Sequence, residues 1–505
     1  MAVKPLFDTV PMLAEALTAG HGAKYKRLAN ALEIGIREGR IDAGMKLPPH
    51  RRLADRLGVT IGTVSRAYAE LERLGLVVAR VGDGTFVRQR ELERKHDAGF
   101  RNFVEELPEQ YDMGRNMHIP GAEVGFLAHG LHDLVGNPQA LSELTRYAPE
   151  AGLLRHRQAG AHWLAHQGFQ PQAEQVLCVN GAQHGLLCTL MALLRRGDTL
   201  VTEQLTYPGL ISVARMLGIK LLGAALDDEG LCPESLEELC GHNRISAIYC
   251  SPTLQNPTTG EMSAQRREAL VAICRAHNLL IIEDEAHAVL VENRPLPLSY
   301  FAPERSVLIG SLSKAVAAGL RVGYLHAPAS LVSRIAAALR ATCWMATPLT
   351  MELAARWIES GIAKKLLGQQ ITEIERRKQL VSGLLDGLSY RTHPQSPHFW
   401  IRVPEPWRAS DVAADLKLRN YLIATAETFA VGRAAVPQFV RASVSSASNN
   451  DPLLLAGFQA LADALRQDSG PAEERGASLF GSVPASDVKL SLMAVSPVRR
   501  SGPRR

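Results

Sequence analysis

The chain has 505 residues, 46% hydrophobic and 21% charged, a balance that suits a large folded core and excludes a chain too polar to build one. Its net charge is +5, but residues 1–90 hold 15 Lys and Arg against 9 Asp and Glu, so this part carries +6 and the rest −1. Seven dispersed cysteines without a Cys-x-x-Cys pair exclude a disulfide frame and a cysteine zinc site. The longest apolar run, around residues 186–194, is too short to span a bilayer. Lys4 and Asp8 precede any apolar stretch, so no signal peptide is expected. These features predict a cytoplasmic protein with reduced thiols and no membrane partner.

In chain order, a helical period of Leu28, Leu32 and Ile36 closes on Gly39. Gly44-Met45-Lys46-Leu47-Pro48-Pro49 is a turn, and residues 51–57 form a short helix that stops at Gly58. Thr60 is an N-cap for the next helix, which puts Val64, Ala67, Tyr68, Leu71 and Leu74 on one face. After Gly75, two strands at 76–80 and 85–87 flank Gly82-Asp83-Gly84. Helix, glycine turn, helix and hairpin make a small α+β winged helix-turn-helix, and its positive charge suits contact with the phosphates of duplex DNA. Residues 88–106 are charged and lack an apolar stripe, as a solvated helix or a flexible tether would. Past 466 the composition shifts to Ser, Gly, Pro and Arg, a basic tail expected to be disordered.

Four segments in the body carry chemistry. An apolar run ends in Val179-Asn180-Gly181-Ala182-Gln183-His184-Gly185, a strand-to-helix turn whose free N–H groups suit a phosphate. Asn256 follows the apolar strand 245–249 and can donate its amide to a phenolate oxygen on a cofactor ring. Glu283-Asp284-Glu285 closes another apolar strand, where carboxylates are costly unless partnered, as Asp284 would be by a pyridinium N–H. Finally, Gly310-Ser311-Leu312-Ser313-Lys314 has Arg321 seven positions on. That suits a lysine joined to pyridoxal 5′-phosphate (PLP) as a Schiff base, with the hydroxyls and guanidinium on the phosphate. Ser-x-Ser-Lys alone also describes a solvated loop, and an acidic strand end also describes a surface cluster. The joint order of the four segments is the specific signal.

Together these segments resemble the fold-type I PLP enzymes of the aspartate aminotransferase superfamily, across residues 110–465. The resemblance implies a large α/β body in which Lys314 is the Schiff-base lysine, Asp284 partners the pyridine nitrogen and Asn256 faces the ring oxygen. It further implies a phosphate cup of the Ala182 and Gln183 amides with Ser311, Ser313 and Arg321. Tyr207 would stack on the ring, and Arg441 would clamp an effector carboxylate. Family members often carry a tyrosine shortly after the ring aspartate, where this chain has His287. Its imidazole can donate the same bond, or it can be a strand-end histidine facing solvent.

The head resembles the GntR type. That analogy implies DNA contacts from Arg51, Thr60, Thr63, Ser65 and Arg66, with the wing tip from Gly82 to Thr85, Gly84 and Thr85 included, in the minor groove. Ile61-Gly62 stands where related heads put Arg and a polar residue, so an apolar contact to a thymine methyl can replace a guanidinium. A GntR-type head on an aminotransferase-like body is the layout of the MocR family of bacterial transcriptional regulators. The expected organisation is residues 22–88 for DNA binding, 89–109 as linker, 110–465 for PLP, effector and dimerisation, and 466–505 as tail. Three functions are weighed. The favoured one is a homodimeric regulator that binds an operator in double-stranded DNA and senses an amine, an amino acid or PLP at Lys314. The alternatives are an active aminotransferase with a DNA-binding head, and a scaffold that has lost the cofactor. Retention of Lys314, Asp284, Asn256 and Arg321 argues against the scaffold.

Overall fold

The structure, a computed structural model, describes residues 13–14, 16–17, 23–37, 41, 45–73, 76–80, 84–87, 110–432, 435–445 and 450–466. In the head, α1 (Lys24–Arg37), α2 (His50–Leu57) and α3 (Ile61–Arg73) precede β1 (Val77–Arg80) and β2 (Gly84–Val87). The apolar period brings Leu28 and Leu32 of α1, Leu53 of α2, and Val64, Ala67 and Leu71 of α3 into one buried cluster. Gly58 ends α2 with φ +61°, the left-handed region that glycine enters without strain. Thr60 caps α3 as expected, its Oγ1 accepting the Thr63 N–H at 3.2 Å. β1 and β2 pair antiparallel, from Val77 opposite Val87 to Arg80 opposite Gly84. Gly82 and Asp83 of the wing tip, the linker 89–109 and the tail beyond 466 lie outside the described residues.

The body begins with β3 (Tyr111–Asp112). Its large sheet then takes β4 (Val176–Val179), β5 (Thr199–Glu203), β6 (Lys220–Ala224), β7 (Ala247–Cys250), β8 (Leu280–Asp284), β9 (Ser306–Ser311) and β10 (Gly323–His326). Their spatial order is 4-10-9-8-7-5-6, with β10 antiparallel to both neighbours and the strands from β9 to β6 mutually parallel. Every residue of β4, β7, β9 and β10 is buried, which is why these strands read as unbroken runs without alternation. Ile281 packs with Leu270 on one face and Ile282 with Leu190 on the other, so helices cover both sides.

The remaining strands are β11 (Tyr390–Arg391), β12 (His398–Arg402), β13 (Tyr421–Leu422), β14 (Ala424–Thr425) and β15 (Phe439–Ser443). β13 pairs in parallel with β3, and the others form an antiparallel sheet in the order 11-12-15-14. Phe399, Ile401 and Val440 of that sheet share a core with Phe458 and Leu461 of the helix Asp451–Arg466. The fold class is the expected one, a winged helix-turn-helix followed by a large α/β body. No helix among the described residues is long and apolar enough to cross a membrane, and no cluster of three metal-ligating side chains is found among them.

Candidate cofactor site

Open parallel sheets gather ligands beyond the carboxyl ends of their strands. Lys314 follows β9, Asp284 ends β8, Asn256 follows β7, Tyr207 follows β5, and Gly181-Ala182-Gln183 follows β4. Lys314 Nζ donates to the main-chain oxygen of Asn116 at 2.5 Å. Burial, then the cations of Arg441 and Arg321, lower its pKa to about 8, while Asp284 pulls the other way.

The three acidic residues separate by role. Glu283 is fully buried and accepts the N–H groups of Leu298 and Ser299 at 2.7 and 2.6 Å. Glu285 accepts from Thr253 Oγ1 at 3.1 Å. These two are structural, and the surface-cluster reading fails because both are buried. Asp284 instead responds to Lys314. Its Oδ2 accepts the Tyr249 hydroxyl at 2.7 Å and its Oδ1 the Ala286 N–H at 3.0 Å, and burial raises its pKa. A desolvated carboxylate held by two donors is poised for a cationic N–H.

Arg441 on β15 is buried, and among the described residues no carboxylate lies within ion-pairing distance of it. Its Nη1 donates to Asn256 Oδ1 at 2.6 Å and its Nη2 to the Gly114 oxygen at 2.5 Å, with the guanidinium 4.8 Å over the Phe429 ring. Its Nε is buried without a partner among the described residues, and burial draws its pKa down to about 10. Such a cation favours an incoming carboxylate.

At the turn after β4, Gly181 has φ +84°, and a Cβ there would sit 2.5 Å from Arg321 Nη2. The glycine therefore lets the guanidinium approach the N-terminus of the helix Ala182–Leu193. Arg321 Nη1 donates to Ser313 Oγ at 3.3 Å, and Ser311 Oγ accepts the Ser313 N–H at 3.0 Å. The structure thus brings Ser311, Ser313 and Arg321 together beside the helix that begins at Ala182. Gln183 also uses its side chain, donating to the Gly209 oxygen at 3.2 Å beneath Tyr207. Burial and Asp284 raise the Tyr207 pKa, against Arg321 and Arg441, so the phenol lies among the charges of the site.

His287 is partly buried, and burial, Lys314 and Arg441 lower its pKa to about 3. Its Nε2 lies 3.4 Å from Asn116 Nδ2. Asn116, Gly114, Tyr249 and His398 were not singled out in the sequence. Two of them act through main-chain carbonyls, which leave no signature there.

In the head, Arg51, Thr60 and Arg66 are exposed, and Thr63 and Ser65 are half-buried. Ser65 Oγ meets His50 Nδ1 at 3.2 Å, and the Arg66 guanidinium sits 6.0 Å from the Tyr25 ring centroid. Ile61 at the start of α3 is 49% exposed, an apolar tip beside the polar ones. Gly84 is exposed and Thr85 half-buried on β2.

Residues 24–87 match the family of bacterial regulatory proteins of the gntR family, and residues 136–456 match aminotransferase class I and II. The HTH-type transcriptional regulator YdeF of Bacillus subtilis is 32% identical over 83% of this chain and 90% of its own. The chain belongs to the MocR family. A further relative is the HTH-type pyridoxine biosynthesis transcriptional regulator PdxR of Corynebacterium glutamicum, 28% identical over 70% of this chain and 77% of its own. The fold of the MocR body is shared with the α-aminoadipate aminotransferase LysN of Thermus thermophilus, at 21% identity and a TM-score of 0.66. That match covers 74% of this chain and 96% of LysN. This MocR chain is a transcriptional regulator with a DNA-binding head, and its cofactor is PLP. The residues present fit that group: an amine near neutrality, a desolvated carboxylate, and a helix N-terminus with an arginine held open by Gly181.

Proposed function

We propose that the body senses an amine, an amino acid or PLP at Lys314 and Arg441, and that occupancy there alters how the heads engage DNA. One observation carries the reading. Lys314 and Arg441 are both held by main-chain carbonyls of a single segment, at Asn116 and Gly114. That segment runs directly on from β3, the first described element after residues 89–109. A carboxylate on Arg441 would compete with the Gly114 oxygen, and Lys314 holding the cofactor would give up its bond to Asn116. Ligand and segment therefore exchange partners, which gives the differential free energy that any ligand-driven shift requires.

In this reading Lys314 would hold the cofactor and Asp284 would partner its pyridine nitrogen. Asn256 and His287 would serve its ring oxygen, and Tyr207 would cover its face. The Ala182 and Gln183 amides, Ser311, Ser313 and Arg321 hold its phosphate, and Arg441 takes the effector carboxylate. Bound PLP supplies a carbon that amines attack and a ring that withdraws electrons. Residues 22–88 are the DNA-binding unit, with Arg51, Thr60, Thr63, Ser65, Arg66, Gly84 and Thr85 on the operator. Residues 89–109 are the tether, 110–465 the sensing body and 466–505 a tail. A cytoplasmic homodimer presents two heads to a repeated or palindromic site. Exposed Tyr147 and Trp344, 5.5 Å apart, support an apolar pairing surface.

A lysine near neutrality also suits proton transfer, so a working aminotransferase is the second reading. The first test records the absorbance of the PLP-loaded protein during titration with amino acids, amines and pyridoxal vitamers. PdxR is named for pyridoxine biosynthesis, so the vitamers belong in that panel. A band shift with one class identifies the effector. Indifference to every amine refutes amine sensing, and many turnovers with a keto acid establish the enzyme.

A further inference from the structure

This inference rests on the cofactor reading above, in which His287 faces the ring oxygen. A neutral imidazole donates from one nitrogen and accepts at the other, so its tautomer decides whether it can serve there. His398 Nε2 lies 2.9 Å from the Pro257 carbonyl, which only accepts, so Nε2 carries the proton and Nδ1 is an acceptor. His398 is 1% exposed, and burial followed by Arg441 holds its pKa well below the ordinary value, so the ring is neutral.

The Asn116 side chain lies 2.9 Å from that accepting Nδ1, so the atom facing it is the amide nitrogen. The same NH2 lies 3.4 Å from His287 Nε2. One N–H serves His398 and the other points to His287, while Asn116 Oδ1 is buried without a partner among the described residues. The orientation thus costs an unsatisfied acceptor, and it makes His287 Nε2 an acceptor and Nδ1 the donor. The charged groups acting on His287 are Lys314 and Arg441, both cations that favour a neutral ring.

We propose that Asn116 and His398 are positioning residues that fix the tautomer of His287, so that its Nδ1–H is offered to the ring oxygen of the cofactor. A tyrosine hydroxyl rotates freely and needs no such relay.

The test uses the full chain loaded with PLP, reading PLP content per chain and the pH midpoint of the bound absorbance band. A donor on the ring oxygen favours its anionic form, so losing that donor raises the midpoint by about one pH unit. His287→Phe and Asn116→Ala are each expected to do so with PLP still bound. Asn116→Asp, which is isosteric and offers only acceptors, serves if alanine disturbs folding. In a His287→Tyr background, adding Asn116→Ala is expected to move nothing. A wild-type midpoint in Asn116→Ala and Asn116→Asp overturns the proposal, as does an equal shift in the tyrosine background. A wild-type protein with no bound band overturns the cofactor reading along with it.

Discussion

Lys314 offers the sharpest quantitative test. Only a neutral amine attacks PLP, and burial with two nearby cations brings this lysine from 10.5 to about 8. At pH 7 roughly one amine in ten is then neutral, against roughly three in ten thousand for an ordinary lysine, a gain of ~300-fold. The assay is stopped-flow association of PLP with the apo protein from pH 6 to 9.5, with a simple alkylamine run separately as a control that shows no plateau over this range. The rate should climb about tenfold per unit and level off above about 8. Arg441→Met removes a neighbouring cation, so the midpoint should move up and the rate at pH 7 should fall. In stability the sign is fixed: the unfolded chain keeps this proton to a higher pH than the folded one. Apo protein stability should therefore rise with pH between about 8 and 10.5. A rate flat across the range, or a midpoint lowered by Arg441→Met, would refute the reasoning.

Asp284→Asn removes a desolvated charge, so the apo protein should melt no lower at pH 7 while PLP affinity falls about 10- to 100-fold, the range of a charge-assisted bond. Calorimetry and equilibrium dialysis read the two effects, and a lower apo melting point with unchanged affinity would count against Asp284 as the ring partner. Gly181→Ala forces a Cβ to within 2.5 Å of Arg321 at a positive φ, and should weaken PLP retention at least tenfold without removing Lys314. Arg51→Ala should weaken binding to all duplexes and lower the salt-dependence slope by about 1, with PLP content unchanged. An unaltered slope would remove Arg51 from the phosphate contacts.

Much of this site was readable because each residue breaks a local rule. Asp284 stands out as a carboxylate ending an apolar strand, and Gly181 as a glycine between a strand and a helix. The head was readable because Leu28, Leu32, Val64 and Leu71 keep a helical period that only packing explains. What sequence could not show is held by distance. Asn116 meets His398 across 282 positions, and the carbonyls of Gly114 and Asn116 have no residue signature at all. The roles of Glu283 and Glu285 were hidden because their partners, Leu298, Ser299 and Thr253, lie on other elements. The Arg66 guanidinium near Tyr25 depends likewise on how α1 packs on α3.

The central claim is that chemistry at Lys314 governs DNA engagement. The direct measurement is affinity for a duplex selected from a random pool by the PLP-loaded protein, with and without the amine that shifts the absorbance band. Wild-type affinity should change at least fivefold, a coupling of about 1 kcal/mol, and Lys314→Ala should show no change. An equal change in Lys314→Ala, or none in the wild type, would contradict the account.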